Sequence, residues 1–222
     1  MIQITPSLAA APLDRLAEVI AELETAGVSR IHFDLEDGSF VPVMTLGTKI
    51  IQDARPLTQL PFDVHLMMVN PEWILPQLIQ AGANRISVHA EACPYPRRTL
   101  RMIAELGATA GLAFNPATPL PDLAYLHPYL SFVVVLSSEP EIPDSPFLPA
   151  VLNKVQQGVV MPGMQEVEWV VDGGIRPNNI HLLSYLPVDT LVVGRAVFEN
   201  GQIQANIRRL LSALQVQAPV GC

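Results

Sequence analysis

The sequence has few of the features that mark disulfide-stabilised or zinc-thiolate proteins. Only 15% of its 222 residues are charged, and it contains two cysteines, Cys93 and Cys222. Two cysteines are too few for a disulfide framework or a four-thiolate zinc site, and their scarcity favours the reducing cytoplasm. Any metal ion must therefore be bound by histidine and carboxylate ligands.

Long hydrophobic runs and a targeting segment are also missing. Half of the residues are hydrophobic, yet the apolar stretch from Ser131 to Leu136 is far shorter than the roughly 20 residues that cross a bilayer. The first residues lead directly into a predicted strand and lack the charged start, apolar run and cleavage site of a signal peptide. We therefore expect a soluble, cytoplasmic protein with no membrane partner.

Positive charge is scarce. Lys and Arg number 13 against 21 Asp and Glu, which gives a net charge of −8, and basic residues are adjacent only at Arg97–Arg98 and Arg208–Arg209. Nucleic acids and anionic membranes bind clustered positive charge, so we expect neither as a partner. A small molecule is the expected ligand, and the sequence leaves a homo-oligomer possible.

Eight short β-branched or apolar runs alternate with stretches of helical spacing, and Gly27 and Gly82 end two of these helices. Strands buried on both faces, and eight βα units in 222 residues, favour a closed barrel over an open sheet. The dinucleotide-binding glycine fingerprint is also missing after the first run. We predict an α/β fold with a single (β/α)8 TIM-barrel domain over residues 1–222. The predicted strands are Ile2–Thr5, Arg30–Leu35, Phe62–Met67, Arg85–His89, Thr109–Phe114, Phe132–Leu136, Val167–Val171 and Thr190–Val193.

Four polar residues lie near the C-terminal ends of predicted strands, where TIM barrels carry their chemistry. His32 and Asp34 alternate with apolar residues, so both side chains lie on the same side of the second strand. His65 lies towards the end of the third strand, and Asp172 ends the seventh. We expect all four side chains to converge on the mouth of the barrel.

Two imidazoles and two carboxylates form a ligand set for one divalent metal ion. Such a set suits Zn²⁺, Fe²⁺, Mn²⁺ or Co²⁺ and leaves coordination positions for substrate oxygens, and the sequence does not select among these ions. Alternatively, each histidine is a hydrogen-bonded structural residue and each aspartate a helix cap. For any single residue, this structural role and metal binding are equally compatible with the sequence. Two converging buried carboxylates, however, require a cation between them.

Distinctive motifs occupy residues 5–8, 31–42, 63–69, 115–120, 171–174 and 193–198. In type and order they resemble those of the ribulose-phosphate 3-epimerase family, and the resemblance extends from residue 4 to about residue 198. The resemblance implies a TIM barrel of the ribulose-phosphate-binding type. It also implies an isomerase that inverts carbon 3 of a ketose phosphate, as in the conversion of D-ribulose 5-phosphate to D-xylulose 5-phosphate.

The resemblance also implies roles for individual residues. His32, Asp34, His65 and Asp172 would bind the metal, and the two aspartates would also act as acid and base. An epimerase needs two such groups because the proton leaves one face of a planar enediolate and returns to the other. The resemblance implies that Ser7 contacts the substrate, and the further residues that we predict to bind it are His65, Met67, Gly173, Gly174, Gly194 and Arg195.

The sequence departs from the family in the loop after the sixth strand. The family has an Asn-Pro-Gly-Phe-Gly-Gly-Gln type of loop whose N–H groups cradle the substrate phosphate, whereas residues 139–145 here contain no glycine. Pro143 removes a donor, and Glu141 and Asp144 repel a dianion. Arg195 replaces a small serine of the family, and it either binds the phosphate or neutralises these two acids. We therefore predict weak use of D-ribulose 5-phosphate.

Two further polar residues are not included in the predicted site. Glu36 replaces a methionine of the family, and we expect it to turn outward rather than to act as a third carboxylate. His89 ends the fourth predicted strand, and we expect a structural role rather than a contact with substrate.

Four functions are compatible with the sequence. The first is a 3-epimerase of a ketose phosphate, and the second is a 3-epimerase of an unphosphorylated or different ketose. The third is a lyase that resembles hexulose-phosphate synthase, which the intact pair of histidine ligands disfavours. The fourth is a non-catalytic barrel, which the presence of all four ligand types disfavours.

Overall fold

The computed structural model describes residues 2–140, 142 and 145–215. Eight strands form one parallel sheet. They are β1 Gln3–Pro6, β2 Ile31–Glu36, β3 Phe62–Met67, β4 Ala83–His89, β5 Thr109–Phe114, β6 Phe132–Leu136, β7 Glu168–Asp172 and β8 Thr190–Val193. The α-helices of the described residues are α1 Leu16–Thr25, α2 Thr48–Ala54, α3 Leu75–Ala81, α4 Pro96–Glu105, α5 Asn153–Val159, α6 Arg195–Phe198 and α7 Ile203–Gln215. Short 3₁₀-helices occupy Leu8–Ala10, Leu13–Arg15, Arg55–Leu57, Pro71–Ile74, Ala90–Ala92, Ala124–Leu126, Pro149–Leu152, Ile180–Leu183 and Glu199–Gly201.

The sheet closes into a barrel. Its strand order is β1-β8-β7-β6-β5-β4-β3-β2, and a parallel bridge between Ser7 and His32 joins β1 to β2. The TIM-barrel prediction is therefore confirmed. All eight predicted strands are present, and β3, β5, β6 and β8 have the predicted bounds. Continuous apolar runs form these strands because most of their residues are buried, whichever face of the sheet they are on.

The connections between strands follow the predicted alternation of strands and helices, except between β5 and β6 and between β7 and β8. Gly82 caps α3 with φ +110°, and Gly27 follows α1 with φ +75°, so both glycines adopt the left-handed conformation that ends a helix. Between β5 and β6, and between β7 and β8, a 3₁₀-helix takes the place of an α-helix. No helix of the described chain has the length and apolar character required to cross a membrane.

The lower part of the barrel interior contains a ladder of charged side chains. Nη1 of Arg85 donates to Glu168 (2.6 Å), and Nη1 of Arg30 donates to the other oxygen of the same carboxylate (2.9 Å). Nε of Arg85 also lies 3.5 Å from Oδ1 of Asp63. The guanidinium of Arg85 stacks over the ring of Phe132, 4.0 Å from its centroid. Oδ2 of Asp63 lies 3.2 Å from Nδ1 of His32, so this ladder is connected to the polar residues at the mouth.

Candidate active site

The four strand-end residues form one cluster at the C-terminal end of the barrel. His32 and Asp34 come from β2, His65 from β3 and Asp172 from β7, and one ligand atom from each lies within 4.8 Å of the other three. His32, Asp34 and His65 are buried, and Asp172 is half-buried. The structure thus brings together the residues proposed as metal ligands, while their role as ligands stays a prediction.

The distances within this cluster fit a divalent ion. Ligand bonds of about 2.1 Å in tetrahedral geometry place neighbouring ligand atoms roughly 3.4 Å apart. Oδ1 of Asp34 lies 3.1 Å from Nε2 of His32 and 3.4 Å from Nδ1 of His65. Oδ2 of Asp172 lies 3.6 Å from the same Nδ1 and 3.9 Å from the same Nε2. The donor set therefore has the size and chemistry of a metal site.

An unsatisfied nitrogen points into the cluster. Nδ1 of His65 is buried and has no hydrogen-bond partner among the described residues. Burial lowers the pKa of His65, but the carboxylates of Asp172 and Asp34 outweigh it and raise this pKa to about 9. The same negative field that favours a proton on this ring favours a cation beside it.

Asp34 is held in place at both carboxylate oxygens. Oγ of Ser7 donates to Oδ2 of Asp34 (2.5 Å), and Oδ1 faces the two histidines. Burial raises the pKa of Asp34, but the attraction and hydrogen bond of His32 outweigh it and hold this pKa well below its usual range. Asp34 is therefore ionised, with Oδ1 turned to the two histidines and Oδ2 held by a hydroxyl.

Asp63 is a site residue that the sequence reasoning missed. Its Oδ2 lies 3.2 Å from Nδ1 of His32, so the carboxylate accepts a hydrogen bond from that nitrogen and leaves Nε2 to face the cluster. Histidine ligands of metals are typically oriented in this way by a second carboxylate. The signal was present, because Asp63 and His65 alternate on β3 and therefore lie on the same side of the strand.

His89 is also part of the site. Its Nε2 lies 2.9 Å from Nε2 of His65, and its Nδ1 lies 3.0 Å from Oε2 of Glu91. Burial is the main cause that lowers the pKa of His89, to about 4. Burial also tends to raise the pKa of Glu91, but hydrogen bonds from His89, Thr118 and the N–H of Asn115 outweigh it and lower this pKa to about 2. His89 therefore has a structural role, as predicted, and this role is a direct contact with the candidate metal ligand His65.

A cavity of about 380 Å³ opens above the cluster. His32, His65 and Met67 are buried and do not line it. Residues that line it without having been predicted include Val43, Thr45 and Arg176. The predicted site residues that line it are Ser7, Asp34, Asp172, Gly173, Gly174, Gly194 and Arg195.

The expectation that Glu36 turns outward is wrong. Glu36 is buried on the same side of β2 as Asp34, and its carboxylate accepts hydrogen bonds from the backbone N–H and hydroxyl of Thr45 (2.9 and 2.6 Å) and from the N–H of Leu46 (3.3 Å). It is not part of the four-residue cluster. Its role is to anchor the loop that carries Val43 and Thr45 to the cavity.

The loop after β6 borders the same cavity. Glu139 and Ile142 line it, and the N–H of Glu139 donates to Oγ of Ser145 (2.9 Å) within the loop itself. That N–H therefore serves the loop rather than a ligand. The other substitutions singled out in the sequence, Glu141, Pro143 and Asp144, lie outside the described residues.

Comparisons with known proteins agree with the geometry. The profile of the Ribulose-phosphate 3 epimerase family matches residues 3–198. The chain is 40% identical over 201 residues to the ribulose-phosphate 3-epimerase of Synechocystis sp., which covers 89% of this chain and 87% of that protein. It is 35% identical over 215 residues to the ribulose-phosphate 3-epimerase of Escherichia coli, which covers 95% of both chains.

Solved structures agree on the fold. KGPDC from Streptococcus mutans, in a ligand complex, superposes with a TM-score of 0.71 over 97% of this chain and 98% of that chain. The two sequences are only 13% identical, so this likeness concerns the barrel architecture and not the chemistry.

Proposed function

The chain belongs to the ribulose-phosphate 3-epimerase family, and on this basis we propose that it interconverts D-ribulose 5-phosphate and D-xylulose 5-phosphate. The observation that carries the proposal is the pair of carboxylates, Asp34 from β2 and Asp172 from β7, which face one cavity from different strands. An inversion requires two groups at opposite faces of one carbon. The family assignment favours this reaction over the lyase and the non-catalytic alternatives.

We propose that Asp34 and Asp172 exchange the proton at carbon 3. One carboxylate removes it from one face and leaves a planar enediolate, and the other carboxylic acid returns a proton to the opposite face. Ser7 supports this role because its hydroxyl fixes Oδ2 of Asp34 beside the cavity. His32 and His65 hold Oδ1 of Asp34 from below, so the carboxylate has one defined orientation towards substrate.

His32, Asp34, His65 and Asp172 would hold one divalent ion, Zn²⁺, Fe²⁺, Mn²⁺ or Co²⁺. When bound, the ion supplies the positive charge that stabilises the enediolate as negative charge develops on its oxygens. Among the chain's own residues, the buried side chains of His32 and His65 close the cluster to water on the side away from the cavity. We also propose that the protein is one cytoplasmic domain that acts on small molecules as a monomer or homo-oligomer.

The test of the reaction is an assay of the purified protein in D₂O. We expect D-ribulose 5-phosphate to be converted to D-xylulose 5-phosphate with one deuteron incorporated at carbon 3, because the proton is exchanged with solvent on the two carboxylates. Conversion without deuterium would contradict the two-carboxylate mechanism. No conversion of any ketose or ketose phosphate by folded, metal-loaded protein would contradict the epimerase proposal.

We propose that the substrate phosphate lies on the side of the cavity formed by the β7 and β8 loops. Gly173 adopts φ +104°, and a Cβ there would lie 2.4 Å from Oγ of Ser138, so this turn admits only glycine and leaves its backbone close to the cavity. Arg176 and Arg195 line the same side. Two guanidinium groups offer a dianion the charge that the glycine-free loop does not.

Arg195→Ser restores the residue type usual in the family and tests this proposal. We expect the KM for D-ribulose 5-phosphate to rise about tenfold with little change in kcat, because a charged hydrogen bond to an exposed phosphate is lost. An unphosphorylated ketose should react equally well with both proteins. The measurement is steady-state kinetics on both substrates, with Arg208→Ser on the exposed face of α7 as the matched control.

The alternative role of Arg195 has a different result. If the arginine only neutralises acidic residues of the loop after β6, Arg195→Ser should lower the melting temperature and leave the KM of each substrate unchanged. An ordinary KM for D-ribulose 5-phosphate that is unchanged in the variant would place the phosphate elsewhere on the rim.

A further inference from the structure

Glu91 and His89 lie behind His65 in a hydrogen-bonded chain that the reaction itself does not use. The links run from Oε2 of Glu91 to Nδ1 of His89 (3.0 Å) and from Nε2 of His89 to Nε2 of His65 (2.9 Å). The other oxygen of Glu91 accepts the N–H of Asn115 (2.8 Å). The His65 and His89 ring centroids lie 4.9 Å apart and the ring planes are inclined by 22°, so the rings are nearly coplanar and meet at these two nitrogens. All three side chains are therefore fixed in place.

The positions of the protons in this chain follow from chemistry. An ionised carboxylate only accepts hydrogen bonds, so Nδ1 of His89 carries a proton and donates it to Glu91. His89 is fully buried, which disfavours a second proton and a charged ring. Its Nε2 therefore offers a lone pair, and Nε2 of His65 at 2.9 Å must be the donor.

The consequence reaches the candidate metal cluster. A His65 ring with its proton on Nε2 has its lone pair on Nδ1. This Nδ1 atom is buried, faces Asp34 and Asp172, and has no hydrogen-bond partner among the described residues. The opposite tautomer would direct an N–H into the cluster and exclude a cation. On the other side of the cluster, Asp63 accepts a hydrogen bond from Nδ1 of His32, so Nε2 of His32 faces the cluster with its lone pair in the same way.

We propose that Glu91, acting through His89, is a positioning pair that selects the tautomer and orientation of His65 required for metal binding. Glu91 acts at a distance, because His89 stands between its carboxylate and His65. This inference rests on the proposed function only in that the four-residue cluster is taken to hold a metal ion. Neither residue lines the cavity, so neither touches the substrate.

The first test is the tautomeric state of His89 in the unmodified protein, measured by long-range ¹H–¹⁵N correlation of the imidazole rings. The chain has five histidines, so single variants assign every ring. We expect a proton on Nδ1 and none on Nε2 of His89, with and without Zn²⁺. A proton on Nε2 of His89 would overturn the proposal, even in a protein that is an active epimerase.

The second test is Zn²⁺ affinity, measured by competition with a chromogenic chelator. We expect His89→Phe and Glu91→Leu each to weaken Zn²⁺ binding by about 10- to 100-fold, as the loss of partners behind a metal-ligating histidine does. Glu91→Gln keeps one acceptor oxygen for Nδ1 of His89 but loses the bond from the N–H of Asn115, so it should recover part of the affinity. His181→Phe is the matched control. Unchanged Zn²⁺ affinity in both disruptive variants would overturn the proposal. Failure of the unmodified protein to bind Zn²⁺, Mn²⁺, Fe²⁺ or Co²⁺ would instead contradict the proposed function.

Discussion

Asp34→Asn and Asp172→Asn are each expected to lower kcat for epimerisation by at least about 100-fold, the contribution of a positioned acid or base. Asparagine keeps the size of aspartate but neither accepts nor returns a proton at the reacting carbon. In the proposed mechanism each aspartate serves one face of the enediolate, and the two come from strands separated by β1 and β8 in the barrel. Among the described residues, the cluster contains no third carboxylate that could substitute for either of them.

The two variants should differ in proton exchange. With one carboxylate left, the proton can be removed from one face and returned to the same face, so each variant should exchange the carbon 3 proton of only one of the two epimers with D₂O. Mass spectrometry of D-ribulose 5-phosphate and D-xylulose 5-phosphate measures this exchange. Asp53→Asn, on the exposed face of α2, is the matched control. Near-normal turnover in either active-site variant would refute the two-base mechanism.

Removal of the divalent ion is expected to abolish epimerisation and to destabilise the fold. The buried carboxylate of Asp34 and the half-buried one of Asp172 lie close together, and without a cation their repulsion is relieved only by protons on His32 and His65. An ion at about 100 times its dissociation constant contributes about 2.7 kcal/mol to the free energy of unfolding. Dialysis against a chelator should therefore lower the melting temperature, and one equivalent of a suitable ion should restore it.

The measurements are metal content by mass spectrometry and thermal unfolding after addition of Zn²⁺, Mn²⁺, Fe²⁺ or Co²⁺. We expect one ion per chain and recovery of activity with at least one of the four. His32→Ala should lose both the ion and the stabilisation, whereas the exposed His127→Ala should lose neither. Well-folded protein that binds none of the four ions, or that is fully active without any, would exclude the metal site.

Much of this molecule is determined by local pattern. Continuous apolar runs such as 132–136 and 190–193 predict strands buried on both faces, and the structure has strands with these bounds. The alternation of His32 and Asp34 on one strand places both on one side, and parallel strands carry such residues to a common end. His65 and Asp172 join them there for the same reason. Period and position alone therefore sufficed to find the cluster.

Contacts between strands depend on register and side-chain orientation, which no local pattern contains. Only the tertiary structure places Asp63 against His32 and His89 against His65, because each pair lies on different strands of the barrel. The expectation for Glu36 is wrong for the same reason, since its partner Thr45 lies in a loop whose path is set by packing. The sequence determined which residues form the candidate cluster, and the closed sheet decided which neighbours orient them, because burial forces each polar group to find a partner in whatever strand lies beside it.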